Sequence, residues 1–340
     1  DVADIGNFPK RNKPISLRPK LTTRPNAINY KEVYELLSKL HLTIYTPTAF
    51  IQPSKLQKYL SEDETEKFRS GRELGIQRLM SINLLKRMES SVHSFLLTVK
   101  RIYDYLYDTS HIIDDFIATG ANNLNEMPDL SSEADEFDYD DQNTDFFNVG
   151  KKVKIDLRDM DYISWKREID EDIDNLQLLI LMIEDITPEY DSKLNELIRM
   201  IREKAATPIN TGNKKILIFT AFSDTAEYLY ENISGMALKD LGLHTALVTG
   251  SVDGKTTIPK FKPDMNHVLA CFSPKSKDRD VLYPKDKTDI DILIATDCIS
   301  EGQNLQDCDY CINYDIHWNP VRIIQRFGRI DRIGSKNAVI

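Results

Sequence analysis

The sequence predicts an α/β fold, in which a lobe built on a mostly parallel sheet follows a mostly α-helical region. After Gly212, short continuous apolar runs alternate with helical stretches, which is typical of strands covered on both faces of a parallel sheet. Before Pro208, apolar residues recur at helical spacing over long segments. The 340 residues are enough for at least two domains.

The helical part is predicted in sequence order, after a linker with short helices over residues 1–74. A helical region follows at 75–208, with one long amphipathic helix from Gly75 to about Phe116. A further helix covers 162–186. Thr187 and Pro188 end it and begin the next, because Thr caps a helix and Pro fits its first position. The α/β lobe is assigned to 209–340 and is expected to be truncated at its end.

Acidic residues are concentrated in one segment of the chain. The net charge is -10, but nine acidic residues and no Lys or Arg lie between Ala121 and Gly150. The rest of the chain is therefore nearly neutral, and its charge does not exclude a nucleic-acid partner. Residues 120–150 are predicted to form a disordered insertion. A solvated loop is favoured there over a regulatory mimic of nucleic acid.

Neither a membrane segment nor a metal site is predicted. The longest apolar run, 176–183, is far shorter than the ~20 residues that cross a bilayer. Four cysteines suit a reducing cytoplasm. Cys308 and Cys311 have zinc-like spacing, and Cys298 or Cys271 with His317 could nominally complete a site. Cys311 falls in an expected strand, however, so a buried thiol is favoured over a zinc ligand.

The strands of the lobe are predicted at 215–220, 244–249, 291–295 and 310–314, with a helix at 224–232. The residues that end them are polar: Thr220, Thr249 with Gly250, and Thr296 with Asp297. Carboxyl ends of parallel strands share one edge, where hydroxyl and backbone N–H groups can hold a phosphodiester chain. Each threonine alone is more typical of a cap or a turn.

A cluster of cationic residues follows Asn319-Pro320, which begins a predicted helix. The cationic members are Arg322, Arg326, Arg329 and Arg332, and the neutral Gln325 lies among them. Arg329 and Arg332 are three residues apart and share one helical face if the helix persists that far. Two guanidinium groups suit a triphosphate, because each presents a planar fork of donors to phosphate oxygens. The alternative is a solvated basic face.

One segment invites a competing interpretation as a phosphate-binding Walker A loop. Residues 250–256 follow a strand and end in Gly254-Lys255-Thr256. However, the spacing between the glycines is one residue short, and Pro259 would disrupt the helix whose N-terminus should hold phosphate. A functional Walker A loop is therefore not expected in this chain.

The combined motifs resemble the second RecA-like lobe of superfamily-two helicases and translocases, in particular the Swi/Snf-type, RapA-like branch. Residues 296–306 resemble the fifth motif of that family, and 325–332 its sixth motif, Q-x-x-G-R-x-x-R. Residues 315–320 match the D-x-x-W-N-P element of the branch, and 84–91 resemble a RapA-like signature. The resemblance implies a RecA-like lobe of the P-loop NTPase type for the sheet-forming part.

The resemblance also assigns roles to individual residues. It implies arginine fingers at Arg329 and Arg332, with Gln325 as an orienting residue. Residues near the nucleotide would be Glu301, Gly302 and Asn304, and coupling residues would be Trp318 and Asn319. The positions Thr220, Thr249, Gly250, Thr296 and Asp297 would follow one nucleic-acid strand.

We therefore expect the C-terminal part of an ATP-dependent helicase or translocase. ATP and Mg²⁺ would be bound mainly by a first lobe, since these residues contain no Walker A loop, and the fragment alone is predicted to be inactive. The implied partners are that lobe, nucleic acid with DNA favoured over RNA, and a protein complex bound to nucleic acid. The implied location is the bacterial cytoplasm or nucleoid. The alternatives are a docking or regulatory module without ATPase activity and a remodeller that displaces bound protein.

Overall fold

The computed structural model describes residues 8–59, 66–120, 155–250, 254–299, 302–317 and 319–340. Contacts divide the chain into two compact units. The helical unit is Arg24–Ile186, and the sheet unit combines the segment that ends at Thr23 with Thr187–Ile340. Residues 121–154 are not among the described residues, and they include all of the predicted acidic insertion except Gly120. The domain boundary predicted at residue 209 stays a prediction.

The helical unit is built on four helices in its described part. They are α1 (Tyr30–Leu37), α2 (Glu66–Ser90), α3 (Val92–Thr119) and α4 (Tyr162–Glu184). Buried apolar residues at helical spacing, such as Val99 and Ile102 of α3 and Ile169 and Leu176 of α4, form its core. None of the helices in the described ranges combines the length and apolar character that a bilayer crossing requires.

The prediction of a single long helix from Gly75 to Phe116 is wrong, because the helical backbone is interrupted at Ser91. This residue has extended backbone angles, φ -154° and ψ 149°, and its side chain accepts a hydrogen bond from the Ser94 amide. Ser91 is therefore the N-cap of α3. The apolar spacing continues across the break, so periodicity alone did not reveal it.

The sheet unit alternates strands and helices as predicted. Its helices are α5 (Ser192–Ala206), α6 (Ser223–Leu241), α7 (Met265–Phe272), α8 (Arg279–Leu282) and α9 (Pro320–Phe327). Its strands are β1 (Ile216–Phe219), β2 (Thr245–Val248), β3 (Lys255–Thr256), β4 (Ile292–Ala295) and β5 (Cys311–Asn313). The predicted α/β fold is confirmed, as are the four strands expected from the sequence.

The strand order is β3-β2-β4-β1-β5. Neighbouring strands from β2 to β5 pair in parallel, while the unpredicted β3 pairs antiparallel with β2 at the edge. Alternate residues of each strand enter two separate cores. In β1, for example, Ile218 packs in a cluster with Leu197 of α5 and Leu229 of α6, whereas Phe219 packs with Leu269 of α7.

Helix α5 is held against the rest of the sheet unit by a buried ion pair as well as by apolar contacts. The Lys204 Nζ atom lies 2.6 Å from Asp309 Oδ1, and both side chains are almost completely buried. Asn210 Nδ2 donates to the other carboxylate oxygen of Asp309 at 2.7 Å. Every oxygen of this buried carboxylate therefore has a donor, as a buried charge requires.

Candidate functional site at the carboxyl edge of the sheet

The parallel strands bring the sequence-predicted polar residues to one edge of the sheet. In the order β2, β4, β1, β5, the strands lead into Thr249, Thr296, Thr220 and Asp315. Neighbouring strands lie about 4.7–4.9 Å apart, so these positions form a continuous row, which we call the carboxyl edge. The predicted placement of the three threonines at one edge is thus found.

Arg326 of α9 is the most completely buried charged residue at this edge. Its Nε donates to Asp297 Oδ1 at 2.7 Å, and its Nη2 donates to Asp297 Oδ2 at 2.6 Å. Despite burial, which acts in the opposite direction, these bonds and the charges of Asp297 and Asp315 raise the pKa of the Arg326 guanidinium. The sequence places Arg326 on the helix but does not reveal this role, because the partner of Arg326 is distant in sequence.

Asp315 joins two more strand ends to the same network. Its Oδ2 accepts from the Thr220 hydroxyl at 2.5 Å, and its carboxylate also accepts from the Ala221 amide. Arg326 Nη1 reaches the Asp315 backbone oxygen at 3.5 Å and Asn313 Oδ1 at 3.3 Å. One guanidinium therefore holds together the segments that follow β4 and β5, and through Asp315 the end of β1.

The residues predicted to contact phosphate differ in how far they are exposed to solvent. Thr220 and Thr296 are buried, and their amides donate to Ala295 and Val248 within the sheet. The Asp297 carboxylate is engaged by Arg326 through both oxygens. Gly250, by contrast, is exposed, and Thr249 is half-buried. The Thr249–Gly250 loop is thus the most accessible of the predicted contacts, which stay predictions.

The predicted helix does not persist to the two outer arginines. α9 ends at Phe327, with Gly328 as its C-cap, and residues 328–330 form a turn. Arg329 is buried in that turn, and its backbone oxygen accepts from the Leu305 amide at 3.0 Å. The expectation that Arg329 and Arg332 share a helical face is therefore wrong. Both residues follow the helix instead.

Arg332 lies beside the loop that contains Gly302, and it has a cationic neighbour, Lys277, that no sequence motif indicates. Its Nη2 donates to the Gln303 backbone oxygen at 3.4 Å. Lys277 donates through Nζ to the Gln303 side-chain oxygen. Burial, together with the charge of Arg332, lowers the pKa of the Lys277 amine. The two cations therefore repel each other, and an anion between them would relieve that repulsion.

Two of the predicted catalytic side chains carry buried polar atoms that lack hydrogen bonds. Gln325 Oε1 and Arg332 Nε have no hydrogen-bond partner among the residues that the structure describes. Each such atom costs about 1–3 kcal/mol when it is left unsatisfied, and Ser192 Oγ and Asp331 Oδ1 lack hydrogen-bond partners among the described residues in the same way. The Arg332 donor fits a phosphate oxygen and the Gln325 acceptor fits a water molecule. These residues are thus compatible with a bound nucleotide.

The other predicted residues have local roles or lie outside the described ranges. Glu301 and Trp318 are among the residues not described. Gly302 has φ +72°, a conformation that favours glycine, and Asn304 Oδ1 accepts from the Gln306 amide at 3.3 Å. Asn319 caps α9, because its side chain accepts from the Val321 amide at 3.0 Å.

The Walker-like segment has the wrong structure for holding phosphate at a helix N-terminus. Lys255 belongs to strand β3 rather than to the first turn of a helix, and its Nζ is 2.6 Å from Glu227 Oε1. A Cβ on Gly254 would lie 2.7 Å from the Pro263 backbone oxygen, so the glycine serves close packing. Residues 251–253 lie outside the described part of the chain.

Residues 192–334 match the family model described as the helicase conserved C-terminal domain. This segment is similar to the C-terminal domain of helicases, and it makes up less than half of the chain. The match spans α5, all five strands and the arginines that follow α9. The sheet unit thus has the RecA-like α/β fold of such a lobe.

Relatives of the helicase lobe are similar over part of their length. The chain is 26% identical over 190 residues to the uncharacterized ATP-dependent helicase YqhH of Bacillus subtilis, covering 54% of this chain and 28% of that protein. It is 27% identical over 141 residues to the putative ATP-dependent DNA helicase fml2 of Schizosaccharomyces pombe, covering 41% and 16%. It is 24% identical over 151 residues to the RNA polymerase-associated protein RapA of Vibrio campbellii, covering 44% and 12%. Other relatives are named as RNA helicases. The chain thus spans less than a third of the length of these relatives.

Proposed function

We propose that this chain is the C-terminal part of an ATP-dependent nucleic-acid helicase or translocase of the Swi/Snf-type, RapA-like branch. The observation that carries the proposal is the convergence of Arg332 and Lys277 on the Gln303 segment, next to Gly302. Both cations lie within the segment that matches the helicase C-terminal domain. In the proposed enzyme, ATP would be hydrolysed between this lobe and a second one. The match of residues 192–334 to the helicase C-terminal domain supports it.

In this proposal the lobe supplies positive charge to a nucleotide that is held mainly elsewhere. ATP with Mg²⁺ would be bound by a lobe that carries a Walker A loop, a motif absent from these 340 residues. Arg329 and Arg332 would neutralise charge that develops on the γ-phosphate, and Gln325 would orient a water molecule. Glu301, Gly302 and Asn304 would lie near the nucleotide.

The buried network around Arg326 suggests how the nucleotide site would be coupled to nucleic acid. Arg326 is on α9, three residues before Arg329, and it forms two hydrogen bonds with Asp297 in the segment after β4. A displacement of α9 on nucleotide binding would therefore move the row of strand ends that includes Thr296. The contacts proposed there are Thr220, Thr249, Gly250, Thr296 and Asp297, with Trp318 and Asn319 as coupling residues.

The proposed substrate is DNA rather than RNA, in keeping with the name of fml2 as a putative ATP-dependent DNA helicase. A protein complex on nucleic acid is a further proposed partner, in keeping with the description of RapA as associated with RNA polymerase. A cytoplasmic or nucleoid location is part of the same proposal. The second candidate is a docking module without ATPase activity; the presence of Gln325, Arg329 and Arg332 together favours the enzyme.

The experiment that tests the proposal uses the longer protein in which these residues occur. Arg329→Ala and Arg332→Ala variants are assayed for ATP hydrolysis with duplex DNA, single-stranded DNA, RNA or no nucleic acid. We expect turnover stimulated by DNA to fall by roughly 10³-fold or more, as on loss of an arginine finger. Binding of a fluorescent ATP analogue should be retained, because the fingers act mainly in the transition state.

The matched control is Arg199→Ala, since Arg199 is an exposed arginine of α5 that pairs with Glu196 and Glu203. It should hydrolyse ATP at the wild-type rate. Unchanged turnover in both finger variants would contradict the proposed roles of these arginines. Absence of nucleotide binding and hydrolysis in the wild-type parent would favour the docking module, and stronger stimulation by RNA would reverse the proposed substrate preference.

A further inference from the structure

A histidine, a cysteine and an aspartate converge in the sheet unit, away from the carboxyl edge. His267 and Cys271 lie one turn apart on α7, so their side chains project from the same face of the helix. Asp286 approaches them from the loop after α8. His267 Nε2 lies 2.7 Å from Asp286 Oδ2, and Cys271 Sγ lies 3.7 Å from the same oxygen.

These three side chains offer a nitrogen, a sulfur and an oxygen whose separations suit one small cation. All three ligand atoms lie within 4.8 Å of one another, and this is the one such group of three among the residues that the structure describes. Bond lengths of about 2.0–2.3 Å at a tetrahedral centre place ligand atoms roughly 3.3–3.6 Å apart. The sulfur–oxygen separation of 3.7 Å is about 0.1 Å above this range, and the nitrogen–oxygen separation of 2.7 Å must open by about 0.6 Å when a cation replaces the shared proton.

The surroundings hold the histidine and the carboxylate in place. The His267 ring is stacked between Phe261 and Tyr283, at centroid distances of 4.4 and 4.2 Å. Asp286 Oδ1 accepts from the Thr288 amide at 2.8 Å, which leaves Oδ2 directed at the other two ligands. Such outer contacts fix the orientation of metal ligands.

The cluster has one buried side and one open side. Cys271 is completely buried, whereas the side chains of His267 and Asp286 are each about one-fifth exposed. A cation could therefore enter from solvent past His267 and Asp286 and keep a water molecule as its fourth ligand. Arg279, whose charge acts on Cys271, is itself paired with Asp289 at 2.7 Å, which reduces its repulsion of an incoming ion.

We propose that His267, Cys271 and Asp286 bind a divalent transition-metal cation of the Zn²⁺ type. A thiolate, an imidazole and a carboxylate are the ligand types that zinc takes in proteins, and hard cations such as Mg²⁺ avoid the sulfur. The site is separate from the proposed nucleotide chemistry, and its existence does not depend on that function. It adds a metal site to a chain for which the sequence predicted none.

Binding releases protons in a way that balances. Burial and the charge of Asp286 raise the pKa of the Cys271 thiol to about 12, so the thiol is protonated before metal enters and gives its proton to solvent on binding. Although burial raises it, hydrogen bonds from Thr288 and His267 bring the pKa of Asp286 to about 2, so this ligand is ionised beforehand. The proton that His267 Nε2 shares with Asp286 is released to solvent on binding, while Nδ1 of the neutral ring takes a proton from solvent, so that His267 coordinates through Nε2 with no net change of its own protonation.

The test uses Co²⁺ as a spectroscopic probe on the 340-residue chain after treatment with a chelator. Thiolate coordination produces a sulfur-to-cobalt charge-transfer band in the near ultraviolet, and a tetrahedral site produces intense visible bands. We expect one equivalent of Co²⁺ to generate both signals, and one equivalent of Zn²⁺ to displace the cobalt. Circular dichroism in the absence of metal establishes that each variant is folded.

Three variants and one control identify the ligands. Cys271→Ser should abolish the charge-transfer band, whereas His267→Gln and Asp286→Asn should retain a thiolate and weaken binding by at least about 10-fold. The control is Cys298→Ser, because Cys298 is an exposed cysteine outside the cluster. It should bind like the wild type. No cobalt band in the wild type, or wild-type affinity in folded His267→Gln and Asp286→Asn, would overturn the proposal.

Discussion

The guanidinium of Arg326 forms a two-pronged ion pair with the Asp297 carboxylate, with donor–acceptor distances of 2.7 and 2.6 Å. Arg326 is completely buried, and the side chain of Asp297 is 17% exposed. The pair joins the helix before the candidate arginine fingers to the segment after the central strand β4. It is therefore both a stabilising contact and the proposed mechanical link of the lobe.

The first prediction concerns the stability of this link. Arg326→Met should lower the free energy of unfolding of the sheet unit by about 3–5 kcal/mol, because it leaves Asp297 and Asp315 without their cation. Arg326→Lys keeps the positive charge but loses the planar pair of donors, so it should lower the free energy of unfolding by less.

Amide hydrogen exchange of β1 and β4 measures the effect in the sheet unit alone. Arg199→Met, which breaks an exposed ion pair, should change stability by no more than about 1 kcal/mol. An equal loss in both variants would contradict the special role of the buried pair.

The second prediction separates two roles of Thr220. The sequence predicted a phosphate contact, whereas the hydroxyl donates to the buried carboxylate of Asp315 at 2.5 Å. Thr220→Val should lower the free energy of unfolding by about 1–3 kcal/mol, since an acceptor loses its donor, and Thr220→Ser should recover part of this loss. The same hydrogen-exchange measurement applies. Thr207→Val is the control, because the Thr207 hydroxyl donates to a backbone oxygen at an exposed site. Weaker DNA binding without loss of stability would favour the phosphate contact instead.

The third prediction addresses where the longer segment of the sheet unit, which begins at Thr187, can be cut without loss of stability. A fragment of residues 187–340 retains Lys204, whereas a fragment of 209–340 leaves the buried Asp309 carboxylate without its cation. The longer fragment also retains Leu194, Leu197 and Ile201, which pack in the core of the sheet. We expect the longer fragment to unfold cooperatively on heating, as followed by circular dichroism. The shorter fragment should show little or no cooperative unfolding transition. Similar stability of the two fragments would support the predicted boundary at residue 209.

A point variant complements the truncation. Lys204→Met in the intact chain should cost about 3–5 kcal/mol, because it strands the Asp309 charge in the interior. The double variant Lys204→Met with Asp309→Leu removes both charges and should be less destabilised than the single variant. A double variant at least as unstable as the single one would contradict this explanation, since no stranded charge remains.

The fourth prediction is a pH dependence in the helical unit. Asp159 Oδ2 accepts from Lys58 Nζ at 2.7 Å and from the Tyr59 hydroxyl at 2.5 Å. The hydrogen bond from Lys58, followed by that from Tyr59, lowers the pKa of Asp159. Its stabilising contribution is therefore present above the unfolded-state pKa of about 3.9 and is lost as pH falls through the lower folded-state value.

The measurement compares wild type with Asp159→Asn across pH. Trp165 is buried in the helical unit, so its fluorescence can follow urea unfolding. The wild type should be more stable at neutral pH, and the difference should shrink as the solution is acidified below about pH 4. Asp156→Asn is a nearby control at a more exposed carboxylate. A difference that is constant with pH would indicate that the charge of Asp159 is not responsible.

The sequence predicted the centre of the sheet well because its three central strands, β2, β4 and β1, are buried on both faces. β1 and β4 are uninterrupted apolar segments, and such segments fit few other places than the interior of a parallel sheet. The edge strand β3 has only two residues, both half-buried, so it carries no apolar signal. It was missed for that reason.

The candidate site was predicted by motif but not by arrangement. The sequence placed Arg329 and Arg332 on the helix that begins at Pro320, yet this helix ends at Phe327, with Gly328 as its C-cap. Lys277 was missed because the tertiary fold, and not sequence spacing, brings it to Gln303. The same holds for His267, Cys271 and Asp286, which belong to a helix and a distant loop.

The sequence by itself determined the class of the lobe, the order of its four parallel strands along the chain, and which polar residues end them, because these depend on local apolar patterns and short motifs. Only the tertiary structure decided which of those residues face inward. Arg326, Thr220 and Asp297 are engaged by partners far away in sequence. The physical reason is that a buried charge or hydroxyl must be satisfied by whatever the fold brings near it, and periodicity records no such pairing.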